Sequence, residues 1–260
     1  MEMGQHFLDY YFRNMSRLKA LFERKNMDVL NVYVTAGFPR LDSTPVVMQA
    51  LQEAGADLVE LGIPYSDPLA DGPVIQASGA LAIRNGMTIP VLFEQLRDMR
   101  RDIHVPVVLM GYFNPVLQYG FERFCRDAAA VGIDGLIIPD LPEFEFEQVY
   151  GPVMKSAGLD FIFLVTPETS EERVRHLDRL SSGFLYAVSS SSTTGKDQDM
   201  DATALYLRRL QGYGLKNPVL VGFGIKDRES FRKACAHASG AIIGTAFILA
   251  LEDAEDPAAA

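Results

Sequence analysis

Cysteine, histidine and basic residues are all scarce in this chain, and each shortage closes off a class of chemistry. The two cysteines, Cys125 and Cys235, lie far apart in helix-like contexts. That placement points to buried free thiols in a reducing compartment, not to a disulfide or a metal site. None of the four histidines, His6, His104, His176 and His237, stands at ligand spacing from another. No metal is therefore expected, and neither is histidine-based nucleophilic catalysis. Lys and Arg total 24 against 34 Asp and Glu, a formal charge of −10. Long-range repulsion from phosphate backbones and anionic lipid argues against nucleic acid or a membrane surface as partner. An anionic small molecule would have to be held by local dipoles. No stretch approaches the roughly 18 apolar residues of a membrane span. The first residues lack a charged start followed by an apolar run and a small-residue cleavage site, so a soluble, cytoplasmic protein is expected.

What is present is a regular alternation. The chain has 260 residues, 48% of them hydrophobic, enough to bury a large core. Eight short apolar runs stand out: 30–35, 57–62, 106–112, 134–139, 160–166, 184–189, 218–222 and 241–244. Few alternate apolar with polar residues, and near-continuous Val/Ile/Leu runs imply strands covered on both faces, as in a parallel sheet. Between them lie segments of helical period at 43–54, 90–101, 121–131, 143–157, 171–180 and 201–210. Three Gly-centred tetrads, Ala54-Gly55-Ala56-Asp57, Val131-Gly132-Ile133-Asp134 and Ala157-Gly158-Leu159-Asp160, each precede an apolar run. A Gly just past a helix end takes the left-handed cap and turns the chain into the next strand. The expected fold is α/β: a single (β/α)8 TIM barrel domain over residues 1–260, with an extra N-terminal helix at 12–24 covering its floor. An open doubly wound sheet is the alternative.

In such barrels chemistry sits at the C-terminal ends of the strands. Glu60 stands near the end of the second apolar run, where an unpaired carboxylate costs several kcal/mol and tends to stay protonated. Asp71 follows in the loop above it. A protonated Glu facing an ionised Asp is an acid/base pair, although Glu60 paired with a buried Lys or Arg, and Asp67 or Asp71 as plain turn formers, are competing readings. Gly195 after the sixth run, Gly222-Phe223-Gly224 after the seventh and Gly244-Thr245 after the eighth offer backbone N–H groups where barrels often hold phosphate. A phosphorylated substrate follows. Thr194-Gly195-Lys196 is no P-loop, because that pattern needs Gly at 190 and Ser or Thr at 197, occupied here by Ser190 and Asp197. Tyr112 and Tyr186 can line a flat apolar pocket, with barrel packing the alternative for Tyr186. The connections after the second and sixth runs are long, and both are candidate lids.

Four motifs, Thr35-Ala36-Gly37-Phe38-Pro39, the stretch from Glu60 to Pro73, Leu136 to Pro142, and Val221-Gly222-Phe223-Gly224-Ile225, make the chain resemble the tryptophan synthase α subunit family along nearly its whole length. The resemblance implies a lyase that splits indole-3-glycerol phosphate by a retro-aldol reaction into indole and glyceraldehyde 3-phosphate, in tryptophan biosynthesis. It implies catalysis by Glu60 as proton shuttle and Asp71 as acceptor of the indole N–H. It further implies substrate contacts at Tyr33 and Tyr112 beside the indole, Tyr186 near the glycerol chain, and Gly195, Gly224, Gly244 and Thr245 at the phosphate. Asp67 would face a partner, and Thr194 would pair with Asp71 when the lid closes. No cofactor is implied for this chain. Pyridoxal phosphate belongs to the β subunit, the implied partner in an α2β2 heterotetramer. Ser190 departs from the family pattern, which often has Arg there to order the lid. A free-standing lyase without a β partner, and a low-turnover barrel acting as an allosteric binding partner, are the alternative functions.

Overall fold

Each strand pairs in parallel with the next, in the order β5-β4-β3-β2-β1-β9-β8-β7-β6. The strands are β1 (Val29–Thr35), β2 (Leu58–Gly62), β3 (Val107–Met110), β4 (Gly135–Ile137), β5 (Asp160–Phe161), β6 (Leu164–Val165), β7 (Leu185–Val188), β8 (Val219–Gly222) and β9 (Gly240–Ile243). Two observations close this sheet on itself. β1 pairs with both β2 and β9, and β5 and β6 are the two halves of one stave interrupted at 162–163. On one side of that stave Ile162 N–H donates to Leu136 O at 3.0 Å, and on the other Tyr186 N–H donates to Phe163 O at 3.0 Å. The eight predicted runs are thus eight staves of a (β/α)8 barrel, and the open doubly wound sheet is excluded.

The computed structural model describes residues 15–189, 200–222, 224–254 and 256–259. Phe12 to Asn14 of the predicted first helix, the 190–199 segment with Ser190, Thr194 and Gly195, and Phe223 lie outside the described residues. Besides the short segments Glu143–Glu145 and Gly151–Ser156, the helices are α1 (Arg17–Arg24), α2 (Ser43–Glu53), α3 (Pro73–Arg84), α4 (Ile89–Leu96), α5 (Phe113–Tyr119), α6 (Phe121–Ala130), α7 (Glu171–Leu180), α8 (Met200–Gln211), α9 (Arg228–Cys235) and α10 (Thr245–Asp253). The predicted helix at 143–157 is broken by a π-helical turn, Phe146–Tyr150, just before Pro152, which has no N–H to continue the ladder. The tetrad glycines hold the left-handed conformation as expected, with φ of 94° at Gly55, 87° at Gly132 and 74° at Gly158.

Alternation along each strand sorts the core into two layers. Val32, Val34, Val59, Leu61, Val107 and Leu109 face the surrounding helices. Val29, Leu58, Val108, Ile137, Ile162, Phe184, Leu220 and Ile242 fill the barrel itself, joined by Leu18 and Leu21 of α1. The helix expected over 12–24 begins only at Arg17, because Ser16 is extended and caps it by accepting Lys19 N–H at 3.2 Å, and it lies across the floor. A Cβ on Gly135 or Gly183 would meet the Leu18 Cδ1 at 3.2 or 3.0 Å, so those glycines make room for the plug. Cys125 and Cys235 are free and buried, and burial pushes both thiols up to about 12. Among the described residues no helix is long and apolar enough to cross a membrane.

Candidate active site

Leu58, Glu60 and Gly62 share one face of β2, so the strand that plugs the floor with Leu58 carries Glu60 one layer higher in the barrel. Glu60 is 1% exposed and lies in register with Tyr33 of β1. Its hydrogen-bond partner is an amide: Asn31 Nδ2 donates to Glu60 Oε2 at 2.8 Å. None of the ion pairs among the described residues includes Glu60, so the competing reading of a buried Lys or Arg partner gives way. Burial pushes the carboxyl up to about 7, the Asn31 bond pulls the other way, and the Asp71 charge adds to the rise. Near neutral pH both protonation states are populated.

Asp71 is half-buried in the loop between β2 and α3. Burial raises its pKa, against a hydrogen bond from the Tyr112 hydroxyl. Tyr112 sits one residue before α5, directly above the end of β3, and is buried. Its oxygen also accepts Ala70 N–H at 2.9 Å, which ties the β2 loop to β3. The Tyr65 and Tyr112 rings pack at 5.3 Å, and Gln76 Nε2 donates to Asp71 O at 2.7 Å. Burial lifts the Tyr112 hydroxyl to about 12, so it stays a donor.

Two further tyrosines complete the cluster. Burial raises the pKa of Tyr33 and of Tyr186, and both hydroxyls feel the charges of Glu60 and Asp71. Each ring needs a glycine beside it: a Cβ on Gly62 would overlap the Tyr33 hydroxyl, and one on Gly222 would overlap that of Tyr186. On neighbouring staves, Gly224 stands exposed two residues past β8 with φ of 77°. Gly244 is the N-cap of α10 and Thr245 its first residue, so the helix dipole and the free N–H groups of its first turn are available to an anion. Asp67 is exposed, accepting from Ser66 Oγ at 2.5 Å, and does not join the Glu60 cluster.

Among the described residues no three His, Cys, Asp or Glu side chains gather where they could hold a metal. A separate crevice of about 180 Å³ opens beside the ends of β4 and β6, between Ile138, Phe163 and Leu177. It contains none of the residues expected to act. Asn31 and Gly62 are the site residues that sequence reasoning missed, and Gly222, read there as a candidate phosphate contact, also makes room for the Tyr186 hydroxyl. Asn31 carried a usable signal, a polar side chain inside an apolar run, the same anomaly that marked Glu60 one stave away.

A sequence profile described as tryptophan synthase alpha chain matches residues 19–260. The chain belongs to the tryptophan synthase alpha chain family. The alpha chain of Bacteroides thetaiotaomicron is 48% identical over 244 residues, covering 94% of this chain and 95% of that one. The alpha chain of Parabacteroides distasonis is 48% identical, covering 95% and 96%. A crystal structure of the tryptophan synthase alpha subunit from Legionella pneumophila superposes with a TM-score of 0.85 at 36% identity over 95% of this chain and 94% of its own. A chain in the aminoacrylate-bound crystal structure of Mycobacterium tuberculosis tryptophan synthase gives 0.82 at 34% identity, over 92% and 93%. The fold of the family is the TIM barrel described above, and its reaction is the alpha reaction of tryptophan synthase.

Proposed function

We propose that this chain carries out that reaction, the retro-aldol cleavage of indole-3-glycerol phosphate to indole and glyceraldehyde 3-phosphate, with Glu60 and Asp71 as its catalytic residues. The observation that carries the proposal is the buried Glu60 carboxyl at about 7, poised both to give and to take a proton at neutral pH. Protonated Glu60 delivers its proton to indole C3. The ring nitrogen becomes positive, and the Asp71 carboxylate accepts its N–H. Ionised Glu60 then removes the proton of the C3′ hydroxyl. The oxygen electrons form the aldehyde, the C3–C3′ bond breaks and its pair returns to the ring. Glu60 ends protonated as it began, so the step balances without a cofactor, the indole serving as electron sink.

Tyr33 and Tyr112 flank the indole, and Tyr186 borders the glycerol chain. The backbone N–H groups at Gly195, Gly224, Gly244 and Thr245 hold the phosphate, an arrangement supported by the α10 N-terminus and compatible with an acidic protein. Exposed Asp67 faces a pyridoxal-phosphate β subunit in an α2β2 assembly, and Thr194 meets Asp71 when the lid closes. A partner fits the chemistry, because indole is small, apolar and prone to escape unless it is handed on. The whole chain acts as one cytoplasmic barrel domain. Indole release from indole-3-glycerol phosphate by the purified chain, with and without a tryptophan synthase β subunit, tests this. Slow turnover that rises steeply with β is expected. Fast turnover indifferent to β would point to a free-standing lyase, and none in either case would leave only a binding role.

A further inference from the structure

Asn31 stands directly behind the proton-bearing group and has no other visible purpose. It is 0% exposed, inside β1, with Nδ2 2.8 Å from Glu60 Oε2. Its Oδ1 is buried without a hydrogen-bond partner, which is costly for an amide oxygen in a barrel core. A residue kept there for packing alone would be apolar, as Val29, Leu58, Val108 and Ile242 around it are. We propose that Asn31 is a positioning residue that serves both protonation states of Glu60, its amide donating through Nδ2 to the carboxylate and, turned over, accepting through Oδ1 from the carboxylic acid.

An amide is suited to this, because it carries a donor and an acceptor on one planar head and exchanges them by a half-turn of its last torsion. A Lys or Arg in its place would hold Glu60 permanently ionised; a second carboxyl would hold one of the pair permanently protonated. Asn31 does neither, so Glu60 can alternate within one turnover while its oxygens stay where they are. The other charge that reaches Glu60 is that of Asp71 in the β2 loop, and the hydroxyls of Tyr33 of β1 and Tyr186 of β7 in turn feel the charge of Glu60. The two hydroxyls remain neutral across the working range, so burial and Asp71 hold the proton on Glu60 and Asn31 opposes them.

This inference rests on the proposed role of Glu60, and its test separates the two. In Asn31→Leu, near in volume but without polar atoms, and in Asn31→Val, a strand-favouring side chain likewise without donor or charge, the carboxyl band of protonated Glu60 would be titrated by infrared difference spectroscopy, using Glu60→Gln to identify the band. Loss of the donor should move the Glu60 midpoint to higher pH by about one unit or more in both variants. The limb of the pH–rate profile governed by Glu60 should move with it, and kcat should fall at least tenfold while KM stays within about twofold. If Asn31→Leu does not fold, Asn31→Val alone decides. An unmoved midpoint in whichever variant folds, or a loss confined to KM, would overturn the inference. The infrared titration needs no turnover, so if the wild-type chain releases no indole even with β, it is the proposed reaction that fails, while the Asn31–Glu60 coupling is judged independently.

Discussion

Particular carboxylates at the two ends of the barrel are treated in opposite ways, with Asp160 the exception at the floor, its Oδ2 buried without a partner and its pKa raised by burial. At the floor, Asp134 is 5% exposed and saturated: Arg17 at 2.9 Å, Arg100 at 2.5 Å and Val107 N–H at 2.7 Å all donate to it. Asp57 there takes Lys25 Nζ at 2.5 Å and Leu30 N–H at 2.8 Å. Toward the mouth, Glu60 is as deeply buried and has a single neutral amide, and Asp71 leans on a tyrosine hydroxyl. Full pairing fixes a charge and secures structure, whereas half-pairing leaves the proton free to move. The residue type is the same at both ends, and the number and charge of the donors decide whether it is a strut or an acid.

The largest expected effect comes from ending the proton's mobility at the mouth. Glu60→Gln should keep the fold and lower indole release by about 10²–10⁴. It should also stabilise the protein, with a definite pH dependence. The folded pKa of Glu60, about 7, lies above its ordinary 4.5, so the group's favourable share of stability is full below about 4.5 and is lost as the pH rises through about 7. Ionising this site in the folded state thus costs roughly 3 kcal/mol at alkaline pH. Urea unfolding of wild type and Glu60→Gln should diverge over that window and run parallel above it. Parallel curves throughout would mean that Glu60 ionises as easily inside the barrel as in the unfolded chain.

At the floor the same kind of deletion should do the reverse. Asp134→Ala strips Arg100 of its carboxylate, and breaking a buried pair costs about 3–5 kcal/mol. The lower end is expected here, because Arg100 keeps the carbonyls of Gly132, Ile103 and Val105 as acceptors. Denaturation midpoints should fall, while indole release per folded molecule stays within a few-fold of wild type. A large loss of turnover in fully folded Asp134→Ala would mean that the floor and the mouth are not independent.

The staves were legible because their apolar runs are covered on both faces. Leu30 to Thr35 and Asp57 to Gly62 foreshadow β1 and β2 to within a residue. Glu60 was legible as the one acid inside such a run, where Asp57, Asp134 and Asp160 only open theirs. Helices α3, α5, α9 and α10 were not. In α3 the sequence Pro-Val-Ile-Gln-Ala-Ser-Gly-Ala-Leu-Ala-Ile-Arg contains a mid-helix Gly and no clear polar face, and α5 has Pro115 in its first turn. Tertiary contact overrides weak propensity in both. The single stave from Asp160 to Val165 read as continuous, although its ladder breaks at the centre. The roles of Gly62 and Gly222 beside the tyrosines were unreadable for another reason: they matter through what they leave empty, and only the position of the facing tyrosine hydroxyl reveals the space.

That space supplies the smallest and most discriminating test. Gly240 at the floor and Gly222 toward the mouth both lack room for a Cβ, but they face different obstacles. At Gly240 the obstacle is the Val29 backbone carbonyl, and at Gly222 it is the Tyr186 hydroxyl and ring edge. A backbone in a closed ladder cannot yield, whereas a ring at the edge of a substrate cavity can tilt away. Gly222→Ala should therefore cost only about 1–3 kcal/mol, the range for overpacking, and less than Gly240→Ala in the same urea titration. The tilted Tyr186 would then occupy volume meant for the glycerol chain, so KM for indole-3-glycerol phosphate should rise several-fold in Gly222→Ala. In Gly240→Ala it should stay unchanged in whatever fraction folds. Equal KM values in the two variants would place Tyr186 outside the substrate's path and return it to the core, as packing alone.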